Sequence, residues 1–298
     1  MKILVTGGCG FIGSNYLNVM IKKYPNDYFI CLDKLTYAGN VNNLDILDEP
    51  NFKLVIGDIC DEVIVSKILN EGIDLIINFA AETHVDNSII NPKTFYKSNI
   101  FGVINLLELC KKYKVKRFHQ VSTDEVYGDL PLDSNYSFKE NDPLKPSSPY
   151  SSSKASAELI TLAYYRTYGL DVTITRSVNN FGPHQNKEKF IPKIIDCIEK
   201  NQEIPVYGNG LNIRSWINVN KNNFYIDLIS RYANSGEVYN ISDNLELTNL
   251  EVIDKVSKYL KKTYRIKFTK DRLGHDLKMS IDNTKLKRFV QAIEEGLI

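Results

Sequence analysis

The chain has 298 residues, with 37 Lys and Arg against 36 Asp and Glu (formal charge +1), 43% hydrophobic and 24% charged residues. That balance suits one large globular domain or two closely packed ones, excludes disordered, collagen-like and low-complexity classes, and leaves no net basic field to hold nucleic acid. No apolar run is long enough for a membrane span, and the opening Lys2-Ile3-Leu4-Val5 lacks a signal-peptide pattern, so a mature cytoplasmic start is expected.

Through the first half of the chain, short apolar runs without a period of two alternate with helical patterns. Strands are predicted at 2–6, 28–32, 53–56, 75–79, 117–121 and 172–175, and helices at 11–24, 62–70, 92–113 and 150–168. Runs apolar on both faces belong to strands covered on both faces. The expectation is therefore an α/β fold built on a doubly wound, Rossmann-type parallel sheet. One more strand is predicted at 238–241. Beyond 175, Pro183, Pro192, Pro205 and the Gly208-Asn209-Gly210 turn interrupt the pattern. A smaller, loop-rich C-terminal lobe for substrate is expected at 178–216 plus 243–298, beside a nucleotide-binding domain at 1–177 plus 217–242. The five cysteines, Cys9, Cys31, Cys60, Cys110 and Cys197, are odd in number, widely spaced and without a CxxC pair. They read as reduced thiols filling apolar gaps, and no metal site is expected.

Thr6-Gly7-Gly8-Cys9-Gly10-Phe11-Ile12-Gly13 leaves the first predicted strand and opens the first predicted helix. Gly7 permits the tight turn, Gly10 lets a pyrophosphate approach the backbone, and Gly13 lets the helix pack on the strand. The helix start then offers free N–H groups to the anion. Asp33 ends the second strand, where a carboxylate accepts from ribose hydroxyls and repels a 2′-phosphate, which favours NAD over NADP. Asp58-Ile59 follows the third strand at a position suited to an adenine edge. Phe79-Ala80-Ala81, after the fourth, places small residues beside a cofactor.

Val121-Ser122-Thr123-Asp124-Glu125-Val126-Tyr127-Gly128 is the most informative stretch. A hydroxyl at the end of a central strand can bind a substrate hydroxyl. Adjacent acids in one cleft split their pKa values, leaving one protonated and one ionised. Tyr150-Ser151-Ser152-Ser153-Lys154 starts a helix with Tyr150 and Lys154 on one face. Bringing a phenol from about 10 to about 7 takes roughly 4 kcal/mol, about what one cation at ~4 Å supplies in an effective dielectric near ~20. Lys154 is expected to be that cation, joined by an oxidised nicotinamide.

On these motifs the chain resembles the extended short-chain dehydrogenase/reductases, and within them the nucleotide-sugar 4,6-dehydratases (dTDP-glucose 4,6-dehydratase family). The resemblance covers nearly the whole chain. It also rests on Leu32-Asp33-Lys34-Leu35-Thr36-Tyr37-Ala38-Gly39-Asn40, Gly57-Asp58-Ile59-Cys60-Asp61, Ala80-Ala81-Glu82-Thr83-His84-Val85-Asp86, Asn179-Asn180-Phe181-Gly182-Pro183, Glu188-Lys189-Phe190-Ile191-Pro192 and Gly274-His275-Asp276. The Thr-Asp-Glu triplet separates these enzymes from the sugar epimerases. The resemblance implies a hydro-lyase cycle on a nucleoside-diphosphate-glucose. Tyr150 takes the 4-hydroxyl proton, with Thr123 holding that oxygen, while carbon 4 gives hydride to NAD. Glu125 then removes the carbon-5 proton and Asp124 protonates the departing 6-hydroxyl. Carbon 6 finally takes the hydride back, leaving a 4-keto-6-deoxy sugar on its nucleotide.

The resemblance extends the cofactor set to Phe11, Ile12, Lys34, Thr36, Ser98, Val121, Tyr150, Lys154 and Ser177. It assigns substrate contacts to Asn179, Lys189, Phe190, Tyr207, Arg214, Asn249 and His275; His84 reads equally as a substrate contact or as a structural residue, and His275 also fits a packed turn. It implies a homodimer through a four-helix interface built from the helices at 92–113 and 150–168. Ser215 stands where Asp is usual and Asn87 where Arg is common. The chain also ends short of typical members, so a compact substrate lobe is expected. The base, dTDP or UDP, stays open. A nucleotide-sugar 4-epimerase and a non-catalytic NAD-binding protein are the alternative readings.

Overall fold

A computed structural model describes residues 1–297. The chain opens with β1 (Lys2–Thr6), α1 (Phe11–Lys23), β2 (Tyr28–Asp33), β3 (Phe52–Ile56), α2 (Glu62–Leu69), β4 (Leu75–Asn78), α3 (Val85–Ile90), α4 (Pro92–Tyr96), α5 (Gly102–Tyr113), β5 (Arg117–Thr123), α6 (Pro149–Tyr168) and β6 (Val172–Ser177). It continues with β7 (Asn179–Phe181), α7 (Phe190–Glu199), β8 (Glu203–Tyr207), β9 (Ile213–Asn218), α8 (Val219–Tyr232), β10 (Glu237–Ile241), β11 (Leu245–Thr248), α9 (Asn249–Leu260), β12 (Arg265–Thr269) and α10 (Thr284–Glu294).

The main sheet has 7 strands in the order β10-β6-β5-β4-β1-β2-β3. Every neighbouring pair is parallel. Strand order reverses between β1 and β4, and a crevice opens there beyond the strands' carboxyl ends. The strands are buried on both faces because successive residues feed two separate cores. Ile3, Val5, Leu75 and Ile77 pack with α1, α8 and α10. Leu4, Ile76 and Phe118 pack with α2, α5 and α6. This explains why the strands read as continuous apolar runs: both alternating sets leave water, and each fully buried aliphatic side chain contributes about 1.5–3 kcal/mol.

Local signals set the element ends. Asp61 caps α2 by accepting from the Val63 and Ile64 N–H groups. Ser148 and Ser151 form a reciprocal capping box at the start of α6, with Pro149 in the first turn, and Gly169 closes that helix at φ +68.

The sheet strands match the predicted ones to within two residues at each end. Three features differ from expectation. The helix predicted at 92–113 widens into a π turn over Lys97–Phe101 between α4 and α5. There the Asn99 side chain pairs with the backbone of Glu82 and donates to the Ser153 hydroxyl (2.8 Å), which drags the helix out of register. The smaller lobe is not loop-rich. It carries the sheet β11-β9-β7, the pair β12-β8, and helices α7 and α9 around a core of Ile194, Ile198, Ile204, Val206, Trp216 and Ile253. These strands escape sequence reading because they are short or alternate with solvent, as in β8 with Pro205 inside it. Finally, α10 lies against the larger sheet, with Phe289 5.0 Å from the Tyr239 ring on β10. Among the described residues all five cysteines are free, and no helix is long and apolar enough to cross a membrane.

Phe118 is fully buried on β5, facing the α5 and α6 side. Phe118→Ala is expected to lower stability by about 3–5 kcal/mol in urea unfolding. A loss below about 1 kcal/mol would mean that this core collapses around the vacancy.

Candidate active site

A cavity of about 800 Å³ runs along the carboxyl ends of β1, β4, β5 and β6 and under the smaller lobe. The predicted residues Gly7, Gly10, Phe11, Ile12, Gly13, Asp33, Lys34, Thr36, Asp58, Ile59, Phe79, Ala80, Ala81, Ser98, Val121 and Ser177 all line it. So do Thr123, Glu125, Tyr150 and Lys154, together with His84, Asn179, Lys189, Phe190, Tyr207, Arg214, Asn249 and His275. Asp124 is the exception. It is buried one layer behind, with Thr123 Oγ1 donating to its Oδ1 at 3.2 Å.

The glycine loop is shaped by contacts that only glycine permits. Gly7 sits at φ +70, and a Cβ there would meet the Ala80 nitrogen at 2.6 Å. A Cβ on Gly13 would meet the Gly7 carbonyl oxygen at 2.4 Å. No side chain caps α1, so the N–H groups at its start are free for an anion. Asp33 is held by the Cys9 N–H (2.9 Å) and the Leu35 N–H (2.8 Å). Each of its oxygens keeps a lone pair for a ribose hydroxyl. Lys34 pairs with Asp58 at 2.8 Å. The cradle, the unclaimed helix start and the acid fit a dinucleotide.

At the end of β5, Thr123 turns the chain into a short 3₁₀ segment by accepting from the Glu125 N–H at 3.3 Å. That turn puts two carboxyl groups side by side, Asp124 buried and Glu125 half-buried on the cavity wall. Burial first, then the Glu125 charge, push Asp124 up to about 8, with Asp276 adding to this and Arg214 and Thr123 opposing. Asp124 therefore holds its proton at neutral pH. Burial and Asp276 raise Glu125 as well, but Arg272, Arg214 and Lys189 pull against them. The acid pair thus faces a cationic wall from the smaller lobe.

Tyr150 and Lys154 share a helix face as expected. Burial pushes the Tyr150 phenol well above its ordinary value, and the Glu125 and Asp124 charges add to this, with Thr123 opposing. Lys154 Nζ donates to the Val121 carbonyl at 2.7 Å, which ties α6 to β5. Burial takes Lys154 itself down to about 8. The four-residue spacing sets the face, whereas the ammonium goes to the nearest carbonyl.

In the smaller lobe, Arg214 Nη2 donates to the Asp276 carbonyl (2.8 Å) and Nη1 to the Ile213 carbonyl (2.8 Å). His275 pairs with Asp271 at 2.6 Å and meets the Tyr207 ring edge-on. Contacts also cross the cleft. Lys189 Nζ donates to the Thr83 carbonyl (2.9 Å), Tyr207 donates to Asp86 (3.3 Å), and Arg272 faces Asp86 at 3.7 Å. His84 caps α3 through the Asn87 N–H and lies 3.8 Å from Glu188. Asn87 is exposed and does not line the cavity, and Ser215 donates to the Met279 carbonyl at 3.3 Å. Arg272, Glu82 and Asp86 line the cavity without having been foreseen. Glu82 and Arg272 are isolated charges in loops, Asp86 sits in the first turn of α3, and no spacing marks them.

The GDP-mannose 4,6 dehydratase family matches residues 4–291. A curated relative, low-salt glycan biosynthesis protein Agl12 of Haloferax volcanii, is 44% identical over 96% of this chain and 92% of its own length. The dTDP-glucose 4,6-dehydratase of Streptomyces niveus is 42% identical over 96% of this chain and 86% of its own. The crystal structure of DesIV, the dTDP-glucose 4,6-dehydratase of Streptomyces venezuelae with NAD and TYD bound, superposes with a TM-score of 0.93 at 42% identity, covering 97% of this chain and 90% of that one. With its glycine cradle, strand-end acid pair and Tyr-Lys helix in one cleft, the chain belongs to the GDP-mannose 4,6 dehydratase family.

Proposed function

We propose that this protein is a hydro-lyase that removes water from a nucleoside-diphosphate-glucose, leaving the 4-keto-6-deoxy sugar on its nucleotide. The observation that carries the reading is the buried Thr123-Asp124-Glu125 turn facing Tyr150 in the cavity of the glycine loop. dTDP-glucose is the favoured substrate because the relatives that share this architecture bear that name. UDP-glucose is the competing base. We assign the nucleotide-sugar contacts to the lobe formed by 178–216 and 243–283, the dinucleotide to the larger sheet, and the protein to the cytoplasm, where thiols stay reduced.

NAD, when bound, supplies an acceptor and donor of hydride. The chain's own groups move the protons. Tyr150 takes the proton of the 4-hydroxyl while Thr123 holds that oxygen. The phenol loses its own proton only beside a positive charge, which the oxidised cofactor carries. The 4-ketone acidifies carbon 5, Glu125 removes that proton, and Asp124 hands its proton to the 6-oxygen as the carbon–oxygen bond breaks; Glu125 then returns its proton to carbon 5 as carbon 6 is reduced. Burial suits both acids to this exchange, since it keeps Asp124 protonated near neutrality.

Incubation with dTDP-glucose and UDP-glucose in parallel is expected to yield a 4-keto-6-deoxy product, faster from dTDP-glucose. Tyr150→Phe is expected to lose about 10²–10⁴-fold in rate. A galactose product would instead mean a 4-epimerase, and equal yield from Tyr150→Phe would remove that residue from the chemistry.

Asp124 gives a second test with a definite sign. Its folded value lies above its unfolded one, so folding retains a proton that the unfolded chain releases. Its contribution to stability is full at about pH 4 and is lost as pH rises through about 8. Asp124→Asn is therefore expected to gain stability over wild type by about 1.4 kcal/mol per unit as pH rises from about 4 toward about 8, with the gap closing below about pH 4, while dehydration is lost. Wild-type turnover is expected to fall above pH 8, as Asp124 loses its proton and Lys154 its charge. An Asn variant less stable at pH 8 would contradict the assignment.

A second copy of the chain fits the exposed apolar side chains Ile90, Phe101, Leu159 and Tyr168, which sit on α3, the π turn and α6. Light scattering is expected to report a dimer, and Leu159→Glu a monomer. A wild-type monomer would overturn this arrangement.

A further inference from the structure

One fully buried charge beneath the cleft has no part in the chemistry above: Glu158 on α6. It follows Lys154 by four residues and Tyr150 by eight, so the three share a helix face. Its Oε1 accepts the Ser122 hydroxyl. Its Oε2 accepts from Arg176 Nε (2.9 Å) and Nη2 (2.6 Å). Arg176, on β6, is also buried, and its Nη1 donates to the Tyr127 hydroxyl (2.7 Å) and the Glu140 carbonyl (3.0 Å). The guanidinium also lies 4.7 Å from the centre of the Tyr127 ring. Ser122 enters the turn that carries Thr123, Asp124 and Glu125, and Tyr127 leaves it. A single ion pair therefore grips both ends of that turn and is rooted in the helix that carries Tyr150 and Lys154.

A buried ion pair adds little net stability over an apolar pair of similar size. Its value here is geometric. We propose that Glu158 is a positioning residue for the dehydration: through Ser122 and Arg176 it fixes the Thr123-Asp124-Glu125 turn against Tyr150. The charge of Glu158 also bears on Lys154. Burial drives Lys154 toward the neutral amine, and Glu158 is the carboxylate that opposes it. The groups around Lys154 are the Val121 carbonyl of β5, Glu158 and Tyr150 of its own helix, and behind Glu158 the Arg176 of β6. An acid pair displaced by a fraction of an ångström loses its alignment with carbons 5 and 6, a loss felt in turnover more than in binding.

The inference rests on the dehydratase reading, and its test separates the two. Glu158→Gln is expected to lower kcat about 10–100-fold with KM changed less than about threefold. Arg176 left unpaired threatens folding, so the double variant Glu158→Gln/Arg176→Gln removes both charges and is checked by circular dichroism. Ser122→Ala is expected to lower kcat while leaving the Lys154 titration in place. That titration, followed by NMR of lysine-labelled protein with NAD and no sugar, is expected to move to lower pH in the double variant. Wild-type kcat in the folded double variant, or an unmoved Lys154 titration, overturns the proposal. A wild-type protein that yields no keto sugar would defeat the functional reading, while the NMR titration would still decide the role of Glu158.

Discussion

Two adjacent carboxyl groups at the end of one strand, Asp124 buried and Glu125 half-buried on the cavity wall, are the constraint around which this protein is arranged. Burying neighbouring acids is costly, and the molecule meets that cost by leaving one protonated and surrounding the other with Arg214, Arg272 and Lys189. The charges of the smaller lobe make sense on those terms. They lie across the cleft from β5, where they moderate Glu125. The main sheet supplies the other half of the arrangement. Its parallel strands deliver the glycine loop, the triplet and the Tyr-Lys helix to one rim, and the reversal of strand order between β1 and β4 opens the space they share.

The frame of that rim is rigid for reasons that can be named. The glycine loop is wedged between β1 and Ala80 without room for a methyl group. The Lys154 ammonium ties helix α6 to β5 at Val121. Asn99, in the π turn, pins the neighbouring helix to the backbone of Glu82. Each device joins two elements that contribute side chains to the cavity, so the catalytic groups are placed by backbone geometry more than by their own rotamers.

Much of this was legible in the sequence. Continuous apolar runs located every strand of the main sheet, since burial on both faces leaves that trace. The glycine spacing, Asp33, the acid triplet and YxxxK named most of the residues around the cavity. What escaped has a common cause. β8 carries Pro205 at its centre and α7 carries Pro192 in its first turn, and each proline reads as a break in an element whose apolar positions keep their period. Arg272 is a single charge in a loop, and Asp86 is a single charge in the first turn of the short helix α3. The Val121 carbonyl that accepts from Lys154 was not foreseen, because sequence spacing fixes which face a side chain occupies and is silent about which carbonyl lies above it.

The polar contacts that span the cleft, Lys189 to Thr83, Tyr207 to Asp86, and Arg272 facing Asp86, have a consequence for the tempo of the enzyme. They link the two lobes across the cavity, so a ligand that reaches both lobes meets them. Where such a ligand parts these contacts, its release is tied to a movement of one lobe against the other, a step of the kind that sets the pace of many enzymes.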